Sequence, residues 1–174
     1  MKRLFAFLIS VFLLASTACA NGTSSKGANS SDKGELSDMK ISIQITSDSG
    51  KSELTATLVD NSSATAFYEL LKKGPLTVDM HDYGNFEKVG PLGTTLPRND
   101  TQITTTAGDI ILYQGNQITI YYDTNSWNFT RLGKVLSTLR HGSGTASSTT
   151  SITQAELKKI LGKGDVTAVF NIIE

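Results

Sequence analysis

Apolar and polar residues alternate with a period of two in several short stretches of this 174-residue chain. The first is residues 39–46, M-K-I-S-I-Q-I-T, and residues 54–59 repeat the pattern after a turn at residues 48–51. Alternation of this kind is typical of a strand with one buried face, so the pair predicts an opening hairpin. Further stretches that predict strands are residues 76–80, 110–113, 118–122 and 166–173.

Two other stretches have the spacing of a helix. In the first, one apolar face is formed by positions i, i+3, i+4 and i+7, which are Ala64, Phe67, Tyr68 and Leu71. Gly74 and Pro75 end that helix. In the second, Thr153 and Glu156 form a capping box ahead of residues 157–161, and Gly162 closes the helix.

The order of these elements predicts a fold. Residues 114–117, Q-G-N-Q, are a turn of the kind that joins two strands, and residues 123–126 are another. Seven or eight short strands with two helices are expected to form a mainly β domain. We therefore predict a closed or nearly closed β-barrel over residues 39–174, with its ends covered by the two helices.

The N-terminus has the pattern of a targeting segment. Lys2 and Arg3 precede an apolar run of 11 residues at positions 4–14, and small residues follow up to Cys19. A run this short does not span about 30 Å of hydrocarbon, so residues 1–19 predict a secretory signal. Residues 20–38 are rich in Gly, Ser and Asn and predict a flexible linker, whether a tether or simply a loose N-terminus.

Cys19 is the only cysteine of the chain. Its position is that of the lipidated cysteine in bacterial lipoprotein signals, although Ser16 stands where such signals usually carry Leu. Ordinary secretory cleavage around Ala18-Cys19-Ala20 is the alternative. We favour lipidation, because a single thiol in an oxidising compartment is otherwise unexplained. The expected location is the cell envelope, with the protein held at the membrane by a lipid on Cys19.

Composition excludes several classes of function. Sixteen basic residues balance 16 acidic ones, and no basic run could neutralise several phosphates, so nucleic-acid binding has no electrostatic support. With Cys19 in the signal, the domain has no thiol for a disulfide, a zinc–thiolate site or a nucleophile. Two histidines without ligand spacing predict no metal site, and no motif predicts a cofactor.

Several ordered motifs resemble the bacterial cyclophilin-like domain family. They are residues 82–84 (D-Y-G), 87–89 (E-K-V), 108–110 (G-D-I) with Tyr113, 118–122 (I-T-I-Y-Y) and 131–135 (R-L-G-K-V). The resemblance covers residues 39–174. It implies a fold similar to that of cyclophilins, an eight-stranded barrel capped by two helices, in agreement with the pattern of strands and helices.

Cyclophilins carry a Phe-His-Arg type motif, whose arginine polarises the Xaa-Pro amide during isomerisation. The nearest stretch here is residues 80–83, M-H-D-Y, which contains no arginine, and Arg98, Arg131 and Arg140 stand elsewhere. We therefore assign no catalytic residue and favour a non-catalytic protein that binds a peptide, a protein or a small ligand. A peptidyl-prolyl isomerase with an atypical active site is the alternative.

The aromatic residues of the second half have two interpretations. Alternate residues on strands must fill the barrel core, while the others are free to line a shallow groove for an extended peptide or small ligand. His81 precedes Asp82, but neighbours on a strand point to opposite faces, so a surface or packing role is favoured over a catalytic one. The candidate ligand-binding residues are Tyr113, Gln117, Tyr122, Trp127, Arg131, Arg98 and His81.

Overall fold

The computed structural model describes residues 39–139 and 152–173. All of them fall in one of the two compact units into which the chain divides, Asp32–Glu174. The signal at residues 1–19, the linker at 20–38, Arg140 and the loop at 142–150 lie outside the described residues. The described elements are β1 (Lys40–Ser47), β2 (Gly50–Leu58), α1 (Ser62–Leu71), β3 (Leu76–Tyr83), β4 (Glu87–Pro91), β5 (Thr101–Thr104), β6 (Asp109–Tyr113), β7 (Gln117–Tyr121), β8 (Ser126–Leu139), α2 (Gln154–Leu161) and β9 (Val166–Ile172).

Eight of the strands form a closed antiparallel barrel. Neighbouring strands follow the order β2-β1-β9-β3-β4-β7-β6-β8, and β8 pairs back onto β2 to close the ring. The fifth strand, β5, stays outside this ring and pairs with the first residues of β8. The predicted mainly β barrel of about eight strands with two helices is therefore confirmed.

The long strand β8 connects the barrel to its outer strand. Residues 126–129 pair with β5, and the rest of the strand pairs with β6 and then with β2. Register shifts between Ile110 and Ile111 and between Thr55 and Ala56 bend β8 around the ring. Gly133 allows the close approach to β2, since a Cβ there would lie 2.5 Å from the Thr57 carbonyl oxygen.

Both helices begin at a side-chain cap. Asn61 caps α1, because its Oδ1 accepts a 2.8 Å hydrogen bond from the Ala64 amide. Thr153 and Glu156 form the expected reciprocal capping box at the start of α2. The apolar faces of the two helices join the main core cluster, where Phe67 packs edge-on against Phe170 at 5.8 Å. No helix in the described part of the chain is long and apolar enough to cross a membrane.

A charged cluster lies among the buried residues of the barrel. Lys88 is completely buried, and its Nζ donates to Asp82 Oδ2 at 2.8 Å and to the Gly164 carbonyl at 2.6 Å. The Tyr122 hydroxyl donates to the same Asp82 oxygen at 2.5 Å. Partial burial opposes ionisation of Asp82, but the hydrogen bonds from Lys88 and Tyr122 outweigh it and lower the pKa of Asp82. This buried charge is therefore fully partnered.

Candidate functional site: a groove on the outside of the barrel

An open groove of about 440 Å³ lies on the outer face of the sheet. A volume of this size suits a small ligand or a few side chains of a peptide. The groove is lined by His81, Tyr83, Glu87, Val89, Tyr113, Gln117, Tyr121, Asn125, Trp127 and Phe129. We call this site the outer groove.

The register of three neighbouring strands places the groove residues on one face. On β3 and β4, Tyr83 stands opposite Glu87, and His81 stands opposite Val89. On β4 and β7, Glu87 stands opposite Tyr121. Side chains of alternate residues share a face of a sheet, so Glu87 lies between the two tyrosines of the neighbouring strands.

A tight turn joins β3 to β4 and brings Phe86 over the groove edge. Three residues, 84–86, connect Tyr83 to its partner Glu87, and Gly84 and Asn85 both have left-handed backbone angles, with φ of 61° and 58°. A Cβ at Gly84 would lie 2.2 Å from the ring of Phe86. Glycine at this position thus allows the Phe86 ring to fold back over the turn.

The aromatic rings around the groove form a continuous cluster. Phe86 packs edge-on against Tyr83 at 5.8 Å and stacks on Tyr121 at 6.0 Å. Phe129 joins Tyr121 at 5.6 Å and Tyr113 at 6.3 Å. Ring pairs at these distances attract each other beyond the area that they bury. This small apolar cluster, which includes the buried Ile111, is separate from the main core.

Two large aromatic side chains of the groove are exposed. Trp127 is 61% exposed and Tyr83 is 58% exposed, and these are the exposed large hydrophobic residues of the described chain. Both line the outer groove. Exposed aromatic surface in a concave site is typical of a surface that binds another molecule.

Glu87 is the only carboxylate that lines the groove in the described part of the chain, and it is 7% exposed. Burial raises the pKa of Glu87, and a hydrogen bond from Tyr121 only partly offsets this. Its Oε2 is buried without a hydrogen-bond partner in the described residues. Burial and the neighbouring Glu87 also raise the pKa of Tyr121. The groove therefore contains a carboxyl group with one unpartnered oxygen among aromatic rings.

Four of the candidate residues predicted from the sequence lie in the groove: His81, Tyr113, Gln117 and Trp127. Tyr122 does not, because it is buried in the main core and hydrogen-bonds Asp82. His81 and Asp82 point to opposite faces as the strand alternation predicts, with His81 in the groove and Asp82 bonded to Lys88.

The two other candidates, Arg98 and Arg131, do not line the groove. Arg98 is ion-paired with Asp100. Arg131 lies beside Asp109, with its Nη2 3.4 Å from the carboxylate. The described lining of the groove contains no arginine.

The groove also contains residues that were not among the sequence candidates. Tyr121 and Asn125 are hydrogen-bonded to each other at its edge, and Glu87, Val89 and Phe129 complete the lining. The Gly84-Asn85 dipeptide was the available signal, since it predicts a tight turn between two strands, but it does not predict the three-residue connection that pairs Tyr83 with Glu87. Within residues 39–139 and 152–173, no three His, Cys, Asp or Glu side chains come together as a group that could hold a metal ion.

A closed antiparallel barrel of eight strands with two helices is the fold that the resemblance to the cyclophilin-like domain family implies. The model of the cyclophilin-like family matches residues 47–169, more than two thirds of the chain. The chain therefore belongs to the cyclophilin-like family. No curated protein matches it significantly.

Proposed function

We propose that this protein is a lipid-anchored protein of the cell envelope whose outer groove binds a peptide or a small ligand without catalysing a reaction. The observation that carries the proposal is the groove itself. It combines exposed aromatic surface at Trp127 and Tyr83 with polar groups at His81, Gln117 and Glu87. A mostly apolar site with a few polar groups for orientation is the usual composition of ligand sites.

The absence of catalysis rests on the chemistry of the lining residues. Isomerisation of an Xaa-Pro bond is accelerated by donors aimed at the twisted amide. The described lining has neutral donors such as Gln117 but no arginine or lysine to supply a cationic one, and Arg98 and Arg131 are paired with Asp100 and Asp109. We expect no acceleration of proline isomerisation in a tetrapeptide assay. Acceleration that Arg98→Ala or Arg131→Ala abolishes would contradict the proposal.

Binding can be tested by selecting random heptapeptides displayed on phage against the full-length protein. Trp127 is the only tryptophan of the chain, so its fluorescence reports occupation of the groove directly. Selected peptides are expected to change this fluorescence, and Trp127→Ala is expected to weaken their affinity about tenfold, measured by calorimetry.

Lys51→Ala is the matched control for the binding test, because Lys51 lies in a different surface cavity on β2. The control should bind the selected peptides as the unaltered protein does. If no peptide is enriched, or if the Lys51 and Trp127 variants lose affinity equally, the groove is not the binding site.

The anchoring part of the proposal depends on Cys19. Cys19→Ser removes the only thiol and with it the thioether to a lipid. In a bacterial host, the unaltered protein should fractionate with membranes, and the variant should not. A variant that remains in the membrane fraction would show that lipid on Cys19 is not what holds the protein there.

A further inference from the structure

The unpartnered oxygen of Glu87 indicates what kind of ligand the outer groove takes. Most buried polar atoms in proteins have a hydrogen-bond partner, so an exception calls for an explanation. Glu87 Oε2 is such an exception within the described residues. Its neighbour Lys88 shows that the same hairpin can fully satisfy a buried charge.

The surroundings of Glu87 favour a positively charged partner. In the described lining, Glu87 is the one acidic residue, and no lysine or arginine neutralises it there. A buried carboxylate is poorly screened by water, so its attraction for a nearby cation is stronger than at the surface. Charge complementarity therefore selects a cation over a neutral or acidic group.

The aromatic rings add a second attraction for the same kind of group. The faces of tyrosine, tryptophan and phenylalanine carry negative potential and attract ammonium groups. Tyr83 and Tyr121 flank Glu87 across the strand pairs, and Trp127 and Phe129 line the same groove. Carboxylate and rings together match a primary ammonium, whose charge can face the Glu87 carboxylate while its alkyl chain contacts the rings.

We infer that the outer groove binds the ammonium group of a lysine side chain or a similar alkylamine, with Glu87 as its counter-ion. This inference rests on the proposed function, since it names the ligand class for the same groove.

The test uses two matched probes and the fluorescence of Trp127. One probe is an acetylated, amidated pentapeptide of alanine with lysine at its centre, and the other carries norleucine there, which has the same aliphatic chain without the charge. The lysine probe is expected to bind the full-length protein at least tenfold more tightly than the norleucine probe.

Glu87→Gln should reduce this ratio to about one, because glutamine keeps the shape and can still accept from Tyr121 but has no charge. Glu87→Asp, which keeps the charge, should retain part of the preference for lysine. Glu69→Gln is the matched control, since Glu69 is exposed and paired with Lys72 on α1, and it should leave the ratio unchanged. The circular dichroism of each variant establishes that it is folded.

The outcomes separate this inference from the proposed function. If the norleucine probe binds as well as the lysine probe, or if Glu87→Gln leaves the preference intact, the cation inference is wrong while the groove remains a binding site. If neither probe binds but phage-selected peptides without a basic residue do, the cation inference is again wrong and the groove remains a binding site. If no probe and no selected peptide binds, both the inference and the proposed function fail.

Discussion

Glu87 and Lys88 are neighbours in the chain, and they lie in two different regions of the molecule. Lys88 faces the barrel interior, where Asp82 and the Gly164 carbonyl accept its hydrogen bonds. Glu87 faces the outer groove, where its Oε2 has no partner among the described residues. Strand alternation alone separates the two side chains.

The two residues differ in whether the fold supplies a partner for a buried charge, and this difference distinguishes a site that adds stability from a site suited to binding. Leaving a charge buried without a partner costs free energy, and a purely structural site avoids that cost by supplying the partner. The Lys88 site supplies it from within the fold, whereas Glu87 Oε2 has no partner among the described residues. Sites of function are commonly the places where stability is given up. The following predictions test this contrast.

Lys88→Met is expected to have the largest effect. It removes the cation that pairs with Asp82 and leaves the Gly164 carbonyl without the Lys88 hydrogen bond, which should lower the free energy of unfolding by about 3 kcal/mol in urea denaturation. Lys158→Met is the matched control, because Lys158 lies over the same Tyr122 ring but is exposed. The free energy of unfolding of the control should fall by less than about 1 kcal/mol. Equal losses in both variants would mean that burial of Lys88 has no special role.

Glu87→Gln is expected to act in the opposite direction. Removing an unpartnered buried charge should raise the free energy of unfolding at neutral pH by about 1 kcal/mol, which corresponds to a few degrees in melting temperature. The exposed Glu69→Gln should change it by less than about 0.5 kcal/mol. A clear loss of stability in Glu87→Gln would assign Glu87 a structural role and remove the contrast with Lys88.

The two carboxylates of this region should give opposite pH dependences. Burial raises the pKa of Glu87 above its usual 4.5, so the stability that its protonated form provides is lost as the pH rises from about 4.5 through the raised pKa. The pKa of Asp82 is lowered from its usual 3.8, so its contribution is present above that value and is lost as the pH falls below it.

Urea titrations between about pH 3 and pH 8 would show this difference. The free energy of unfolding of Glu87→Gln, relative to that of the unaltered protein, should increase with pH. The loss of free energy of unfolding caused by Asp82→Asn should disappear in acid. The titratable groups that face Glu87 are His81 and Tyr83 from β3, Tyr121 from β7 and Tyr113 from β6. The experiment is therefore repeated in a His81→Gln background, where the Glu87 effect should persist.

Trp127→Ala is expected to have the smallest effect on stability. Its side chain is 61% exposed, so the free energy of unfolding, followed by circular dichroism, should change by less than about 0.5 kcal/mol. A large loss of stability would mean that Trp127 is part of the packed structure, and its effect on peptide affinity would then not report on the groove.

Much of the fold could be predicted because its signals are local. The alternating strands β1, β2, β6, β7 and β9 and both helix caps depend on residues close together in the chain. The strands that the pattern did not define have an unusual composition. The four residues of β5 include a single apolar one, Ile103, and β4 begins with Glu87-Lys88. Both form strands by pairing with strands that come later in the chain, β4 with β7 and β5 with β8.

The site could be predicted only in part. The face of the sheet on which a side chain lies and the partner that it contacts both depend on residues distant in the chain. Tyr122 and Tyr121 are adjacent aromatics, and the register of β7 decides which of them reaches the groove. The roles of Arg98 and Arg131 depend on Asp100 and Asp109, which the sequence does not identify as their partners. Lysine is rarely found fully buried, so only the folded structure reveals that Lys88 lies inside.

The position of β5 outside the closed ring has a consequence for motion. A closed barrel has no free edges, whereas β5 is held by four residue pairs to β8, and it is the end strand of the described sheet. Its Ile103 packs against the aromatic cluster of the outer groove. The amide hydrogens of β5 should therefore exchange with solvent faster than those of the ring strands. The aromatic cluster of the outer groove is thus packed in part against a strand that can exchange while the barrel stays intact.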